Sequence, residues 1–325
     1  MKAAVPIVLP NVNERRHVHI INPTAGGRKF YSAAVNAIDK IGEEKIESTS
    51  GEHLRSLVAE TLRKDPYAHV TVYGGDGSVY YAVNGIMDSG SAATASFSVI
   101  PCGSGNDFSS FANDVAGFKK GELNRIDLIS VTRDGRRDYF ANMMNIGFDC
   151  AVVKETYTLK KKPFLKGSTA YIAGVLKVLA VKKTTPAKIK LSGCVSLDSG
   201  KAVGDIEVEK DILLTACANG RYCGGGFNAA SQASLNDRLM DVLIVNDISR
   251  AKFISMIGNY KKGDYITSDG KLLKSYEGVI DYCKCEKMEI TGPELICLDG
   301  EVMETGREER IISEVCPGAV WFAAV

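Results

Sequence analysis

The residues with the clearest chemical potential are Gly74, Gly75, Asp76, Gly77 and Ser78, four small residues around one carboxylate. A β-prone run, His69 to Tyr73, leads into them, and from Ser78 the apolar positions Val79, Val83 and Ile86 recur at helical spacing. The pattern predicts strand, Gly-rich turn, helix. Such glycines let the backbone approach a ligand closely and reach positive φ, and the N–H groups opening the next helix attract an anion. Phosphate fits that chemistry. Asp76 would repel phosphate oxygens unless a divalent cation stood between them, so the turn points to a Mg2+–nucleotide. An ordinary tight βα turn is the plain alternative for this stretch alone.

Two more turns of this kind flank it. Asn22-Pro23-Thr24-Ala25-Gly26-Gly27 ends the alternating run His17 to Asn22, Arg28 and Lys29 add cations, and Phe30, Ala34, Ile38 and Ile41 mark a helix beyond. Pro101-Cys102-Gly103-Ser104-Gly105-Asn106-Asp107 ends a fourth strand, Phe97 to Ile100. In one parallel sheet the three turns would converge on its carboxyl edge, where open α/β sheets bind ligands. Between them, Thr49 and Glu52 have capping-box spacing ahead of a helix carrying Leu54, Leu57, Val58, Thr61 and Leu62. The expected architecture is α/β and doubly wound up to about Asn124.

From there the pattern turns to hairpins. Arg125 to Val131 and Tyr139 to Ile146 are β-prone and joined across Asp134-Gly135, and later β runs fall at Ile206 to Ala218, Met240 to Val245, Val279 to Cys285 and Leu295 to Leu298. The domains expected are 1–124, nucleotide-binding, with a tail of about 316–325 returning to it, and 125–315, β-rich. Between the early strands lies Lys154 to Lys190, with ten lysines against one acid, Glu155. Tyr171, Val175, Val178 and Leu179 give it an apolar helical face. A solvated charged face is the plain reading; a basic amphipathic stretch also suits an anionic membrane surface, where each nearby lysine adds about 1 kcal/mol.

At 325 residues two domains are expected. The 40 Lys and Arg against 39 Asp and Glu argue against a surface built for nucleic acid. Nine scattered cysteines, without a C-x-x-C pair, read as reduced thiols of a cytoplasmic protein. The four histidines, His17, His19, His53 and His69, have no metal-site spacing. No secretory signal and no run of about 18 apolar residues is present, so any membrane contact is expected to be peripheral.

On these motifs the chain resembles the diacylglycerol kinase catalytic-domain family of lipid kinases, related to sphingosine kinases and NAD kinases. The family's N-P-x-[SA]-G appears as Asn22 to Gly26, its G-G-D-G-T as Gly74 to Ser78, its P-x-G-T-x-N-D as Pro101 to Asp107, and its D-G-E as Asp299-Gly300-Glu301. The resemblance spans about Asn22 to Glu301 and implies a mainly antiparallel β-sandwich second domain. It implies an ATP-dependent lipid kinase that phosphorylates a lipid alcohol, diacylglycerol to phosphatidic acid being the first expectation, in phospholipid biosynthesis. Glu301 matches the general base, with Asp76 as the other catalytic residue. Phosphoryl transfer passes through a loose transition state, so a late proton acceptor is sufficient. Asn22, Pro23, Thr24, Ala25 and Gly26 match nucleotide-contacting positions, with Ser48 by a looser alignment, as do Gly74, Gly75, Asp76, Gly77, Ser78, Val79, Tyr80 and Tyr81 and then Ser104, Asn106 and Asp107. Ser234, Asp237 and Leu239 match a bound-Mg2+ site that orients the second domain.

Three departures stand out. Tyr80-Tyr81 replace the usual Asn-Glu, and Ser78 and Ser104 replace Thr while keeping the hydroxyl. Arg238 replaces a Gly in D-G-x-x-D, where positive φ would strain it. An NAD kinase-like small-molecule kinase and a catalytically silent lipid-binding protein stay open as alternatives, and a homodimer is left open.

Overall fold

The computed structural model describes residues 9–160, 168–181, 184–197 and 199–325. It comprises two compact units: Met1–Gly103 with Asn113–Ile126 and Ala319–Val325, and Ser104–Ala112 with Asp127–Gly318.

The first unit is a parallel sheet with helical crossovers. In chain order it holds β1 (His17–Ile21), α1 (Gly27–Ile41), β2 (Glu44–Glu47), α2 (Gly51–Lys64), β3 (His69–Gly74), α3 (Asp76–Ser89) and β4 (Ser96–Pro101). The spatial order is β2-β1-β3-β4. Residues 321–322 of a late strand, Ile311–Ala323, add a further parallel edge at Ser96 and Phe97. The apolar runs in β1, β3 and β4 are almost wholly buried, as parallel strands covered on both faces require. Helix α2 turns Leu54, Val58 and Leu62 inward, and a Cβ at Gly85 of α3 would lie 2.5 Å from the Arg55 carbonyl of α2. Only glycine permits that approach. The cap of α2 differs from expectation: Ser50, not Thr49, is the N-cap and accepts from the His53 N–H at 3.1 Å. Thr49 instead meets the His53 ring.

The second unit is the antiparallel β-sandwich. It begins with the short helix α4 (Asp107–Ala112); β5 (Leu123–Arg133) then enters it and pairs with β6 (Arg136–Phe140) across Asp134-Gly135, both at positive φ. The run from Tyr139 to Ile146 is not one strand, because the chain bends at 141–142 and β7 (Met143–Gly147) leaves to pair with the strands Leu295–Leu298 and Ala202–Ala218. Here β8 is Thr185–Val195, β9 Ala202–Ala218, β10 Met240–Asn246, β11 Ile280–Cys285, β12 Lys287–Thr291, β13 Leu295–Leu298, β14 Glu301–Glu304 and β15 Ile311–Ala323. The long β9 pairs with β8 along its first part and with β7 and β10 along its last, all antiparallel.

Lys154 to Lys190 is likewise not a single amphipathic stretch. It contains most of α5 (Phe148–Lys160), all of α6 (Ser168–Val181) and the start of β8. Leu179 is buried, and Val175 and Val178 pack on the core formed by Phe148, Val152, Leu213, Leu214, Phe253 and Met256. The described part of the expected membrane face therefore covers protein. Lys154, Lys177 and Lys188 pair with Glu304, Glu155 and Glu207. Lys161, Lys162, Lys166, Lys182 and Lys183 lie outside the described residues. Helix α7 (Arg250–Lys262), capped by Ser249 and ended by Gly263, adds Phe253, Met256 and Tyr260 to this core. No helix among the described residues is long and apolar enough to cross a membrane.

Candidate functional site

Register brings the turns of the first unit to one edge. Ile21 lies beside Tyr73, Tyr73 beside Ile100, and Gly74 beside Pro101, so β1, β3 and β4 end level with one another. The side chains beyond them interlock. Asn22 accepts on Oδ1 from the Thr24 N–H at 3.1 Å and hydroxyl at 2.7 Å, and its Nδ2 donates to Ser78 Oγ at 3.4 Å. The Cys102 N–H donates to the Gly74 carbonyl at 3.0 Å. Ser48, buried beside them, donates its hydroxyl to the Ile21 carbonyl at 3.2 Å. Asn22, Ser48, Gly74 and Ser78 thus form one connected rim, with Pro23, Thr24 and Ala25 in the turn above it.

The glycines of this rim have two different purposes. Gly26 sits at φ 70°, and a Cβ there would meet Phe30 at 2.9 Å and Cys102 at 3.0 Å. Gly74 and Gly75 are not left-handed, against the sequence expectation: Gly75 has φ −106°, and Gly74 is needed because Ser78 fills the space a Cβ would take. Asp76, half-exposed, is the first residue of α3, and Gly75 provides no side-chain cap. The Ser78 and Val79 N–H groups donate to the Gly75 carbonyl at 2.9 and 3.1 Å and close the first turn, whose positive dipole end favours an anion. Val79 and Tyr80 are buried, and the Tyr81 ring occupies the space over Gly51 of α2. Of the Tyr80-Tyr81 departure, Tyr81 therefore packs α3 against α2, and the buried Tyr80 ring lies edge-on to it.

Ser104, Asn106 and Asp107 belong to the second unit. Asn106 takes φ 59° and its carbonyl accepts from Ser110. Asp107 is buried, and its two oxygens accept from the Gly225 and Gly226 N–H groups at 2.9 and 2.8 Å. That carboxylate tethers a glycine loop, a role the motif did not announce.

Glu301 opens β14 directly after a two-residue hairpin. Leu298 pairs with Glu301, and the loop residues Asp299 and Gly300 have φ 46° and 93°, the left-handed pair that Asp-Gly supplies in a tight right-twisting turn. The Asp299 side chain is buried and accepts three backbone N–H groups, Ala141 at 2.9 Å, Asn142 at 3.0 Å and Met143 at 2.8 Å. The same bend that splits β6 from β7 thus locks the turn that presents half-exposed Glu301. Register places Asn145 beside Cys297 of β13, and Asn145 donates to Asp149 at 3.4 Å. Burial pushes Asp149 up to about 6, the Asn145 contact opposing it.

The turn at 234–241 departs from a metal site. Arg238 does occupy the left-handed region, φ 66°, a strain of about 1–2 kcal/mol for a side chain with a Cβ. Its N–H donates to Asp127 Oδ2 at 2.7 Å. Asp127 also accepts from Gly318 at 2.6 Å and donates its own N–H to Leu235, so one buried carboxylate anchors the turn. Burial raises its pKa, with the Gly318 and Arg238 bonds opposing. Asp237 accepts the Leu239 N–H at 3.2 Å on one oxygen and the Lys284 ammonium at 2.7 Å on the other. Ser234 donates to Asn236 at 3.1 Å. Lys284 also donates to the Gln232 carbonyl at 2.8 Å and to buried Asp241 at 2.9 Å. Two unit charges about 4 Å apart repel by about 4 kcal/mol at a protein's effective permittivity, and a divalent ion beside the ammonium would double that. Ser234, Asp237 and Leu239 therefore do not fit Mg2+ while Lys284 is in place. Burial works against the Lys284 charge, but Asp241 and Asp237 outweigh it and raise its pKa. Burial pushes Asp241 up to about 6, with Lys284 and Tyr282 opposing.

Residues 16–132 match the family model of the diacylglycerol kinase catalytic domain, and residues 142–323 that of the YegS C-terminal NAD kinase beta sandwich-like domain. The chain belongs to the family of the YegS C-terminal beta sandwich-like domain, with the diacylglycerol kinase catalytic domain ahead of it. It is an enzyme of the lipid-kinase type within that family. A relative from Shewanella frigidimarina, named probable lipid kinase YegS-like, is 30% identical over 63% of this chain and 62% of its own length, so the match spans less than two thirds of that protein. A diacylglycerol kinase of Mycobacterium tuberculosis is 26% identical over 77% of this chain and 79% of its own. The crystal structure of a diacylglycerol kinase from Bacillus anthracis superposes with a TM-score of 0.59 at 19% identity, covering 96% of this chain and 97% of that one, a likeness of fold.

Asp127, Asp299 and Lys284 were not singled out as site residues by the sequence. The available signal was the Asp-Gly dipeptide at 299–300, the same hairpin mark read at 134–135. Lys284 had none nearby, its acids being more than 40 residues away along the chain.

Proposed function

We propose that this chain transfers the γ-phosphoryl group of Mg2+–ATP to the hydroxyl of a neutral lipid alcohol, diacylglycerol first, giving phosphatidic acid. The observation that carries the reading is the interlocked rim of the first unit, where Asn22 reaches Ser78 and Cys102 reaches Gly74. It gathers backbone donors and the Asp76 carboxylate at the carboxyl edge of a parallel sheet. In this reading Asp76 holds the nucleotide's Mg2+ and the positive dipole end of α3 faces phosphate. Glu301 accepts the proton of the attacking hydroxyl. The NAD kinase likeness carried by the second domain's family description supports a second reading, with a nucleotide ribose hydroxyl as acceptor.

Radiolabelled ATP offered with a panel of lipid alcohols and with NAD separates the two. Labelled phosphatidic acid is expected; label in NADP alone would overturn the lipid reading. Membrane approach in this proposal is electrostatic and peripheral, through the lysines of 154–190. Binding to anionic vesicles should weaken as salt rises, because surface attraction fades over about 10 Å at 0.1 M. A charge reversal at Lys160, Lys161 and Lys162 that left vesicle binding unchanged would remove them from that role.

A further inference from the structure

We infer that Lys284 is a built-in cation: its ammonium closes the 234–241 turn in the place that family likeness gives to a bound Mg2+, and this unit holds its turn without a divalent ion. Three observations combine. The ammonium has three donors, and each finds an acceptor, Gln232 O, Asp237 Oδ2 and Asp241 Oδ2, at 2.7 to 2.9 Å. Lys284 pairs in register with Asp241 across β10 and β11, so the contact is fixed by two rigid strands. The side chain is 14% exposed and Asp241 is 0% exposed, which makes the ammonium an integral part of the second unit and not a surface ion pair.

Both oxygens of the Asp237 carboxylate already accept, one from the Leu239 N–H and the other from Lys284, and the Ser234 hydroxyl is turned to Asn236. Magnesium demands near-octahedral oxygens at about 2.0–2.1 Å and keeps several waters, whereas the ammonium already supplies the charge. The turn itself is secured independently, by Asp127 on Leu235 and Arg238. The inference does not depend on which alcohol is phosphorylated, and its test uses neither nucleotide nor lipid.

The test is thermal unfolding of the nucleotide-free protein, dialysed against EDTA and then supplied with Mg2+, alongside Lys284→Met. Methionine keeps the length of the stem and removes the charge, leaving Asp237 and Asp241 facing one another. The parent's Tm should move by less than about 1 °C between EDTA and about 10 mM Mg2+. Lys284→Met should start lower and rise saturably with Mg2+, a rise abolished by adding Asp237→Asn. Titration with Mn2+, followed by its electron paramagnetic resonance, gives a second readout that needs no Lys284 variant and decides the matter even where Lys284→Met does not fold. A parent that binds Mn2+ saturably and loses that binding in Asp237→Asn would overturn the inference. So would a Mg2+ response equal in parent and Lys284→Met.

Discussion

Replacing Asp299 by Asn isolates one charge in the hairpin that presents Glu301. Asn tolerates the left-handed φ of 46° as well as Asp does, so the backbone conformation is not disturbed. What changes is the acceptor set. Asp299 Oδ1 takes the N–H groups of Asn142 and Met143, while Oδ2 takes that of Ala141 at 2.9 Å. An amide can keep its oxygen on the first pair only by turning its NH2 toward Ala141, donor against donor. That buried N–H loses its partner, which costs about 1–3 kcal/mol, and the two remaining bonds lose their charge assistance. The sum is about 2–4 kcal/mol. Urea unfolding of the second unit should show it as a lower midpoint with unchanged slope. Trp321 is the only tryptophan and lies in the first unit, so far-UV circular dichroism is the appropriate probe. Amide exchange at Ala141, Asn142 and Met143 should accelerate together. A variant with the parent's midpoint and the parent's protection at these three amides would refute the tether.

Three other outcomes are expected. Asp76→Ala should abolish phosphoryl transfer and leave the Tm nearly unchanged, since Asp76 lies in the first turn of α3 and outside the buried core; full activity would exclude it from the mechanism. Glu301→Gln should lower the lipid-kinase rate by about 10² to 10⁴ with ATP affinity little altered, as measured by initial rates and nucleotide titration; an equal loss of ATP binding would make Glu301 a structural group. His69 is buried against Ser96, and burial first, then His17, Arg15 and His19, hold it down to about 3. Its folded pKa lies below the unfolded value of about 6.5, so the unfolded chain binds the extra proton and stability falls as pH drops from about 6.5 toward 3, by at most about 5 kcal/mol. His69→Gln should show a smaller stability loss between pH 7 and pH 4 in urea titrations, and an unchanged pH dependence would contradict the shift.

The parallel half of the chain was legible because its signals are local. In β1, β3 and β4 an apolar run is followed within a few residues by glycine and then by helical spacing, and each signal names the same architecture. In the second unit local signals conflicted. Within β8, Lys188 and Lys190 alternate with buried Ile189 and Leu191, a half-buried strand, yet the lysines read as a continuation of the helical basic stretch. Helix α7 carried Phe253, Met256 and Tyr260 between Ser249 and Gly263, a complete set of marks that was overlooked. The polar anchors were beyond reach for another reason. Asp127 finds its partners at Leu235, Arg238 and Gly318, and Asp299 at 141–143, so each carboxylate looks in sequence like any loop acid. Chemistry that depends on partners a hundred residues away leaves no periodic trace.

The last strand has a consequence for how the chain is made. Residues 321 and 322 of β15 complete the sheet beside β4, the Ser98 hydroxyl donates to the Ala323 carbonyl, and the Val325 N–H donates to Asn113. On the ribosome β4 emerges about two hundred residues earlier, which at roughly 5–20 residues per second is a delay on the order of 10–40 s. Throughout that interval the nascent first unit has an open apolar strand edge, the kind of surface that recruits chaperones or pairs with neighbouring chains. The yield of native protein is then expected to depend on translation speed and chaperone supply as well as on the stability of the finished fold.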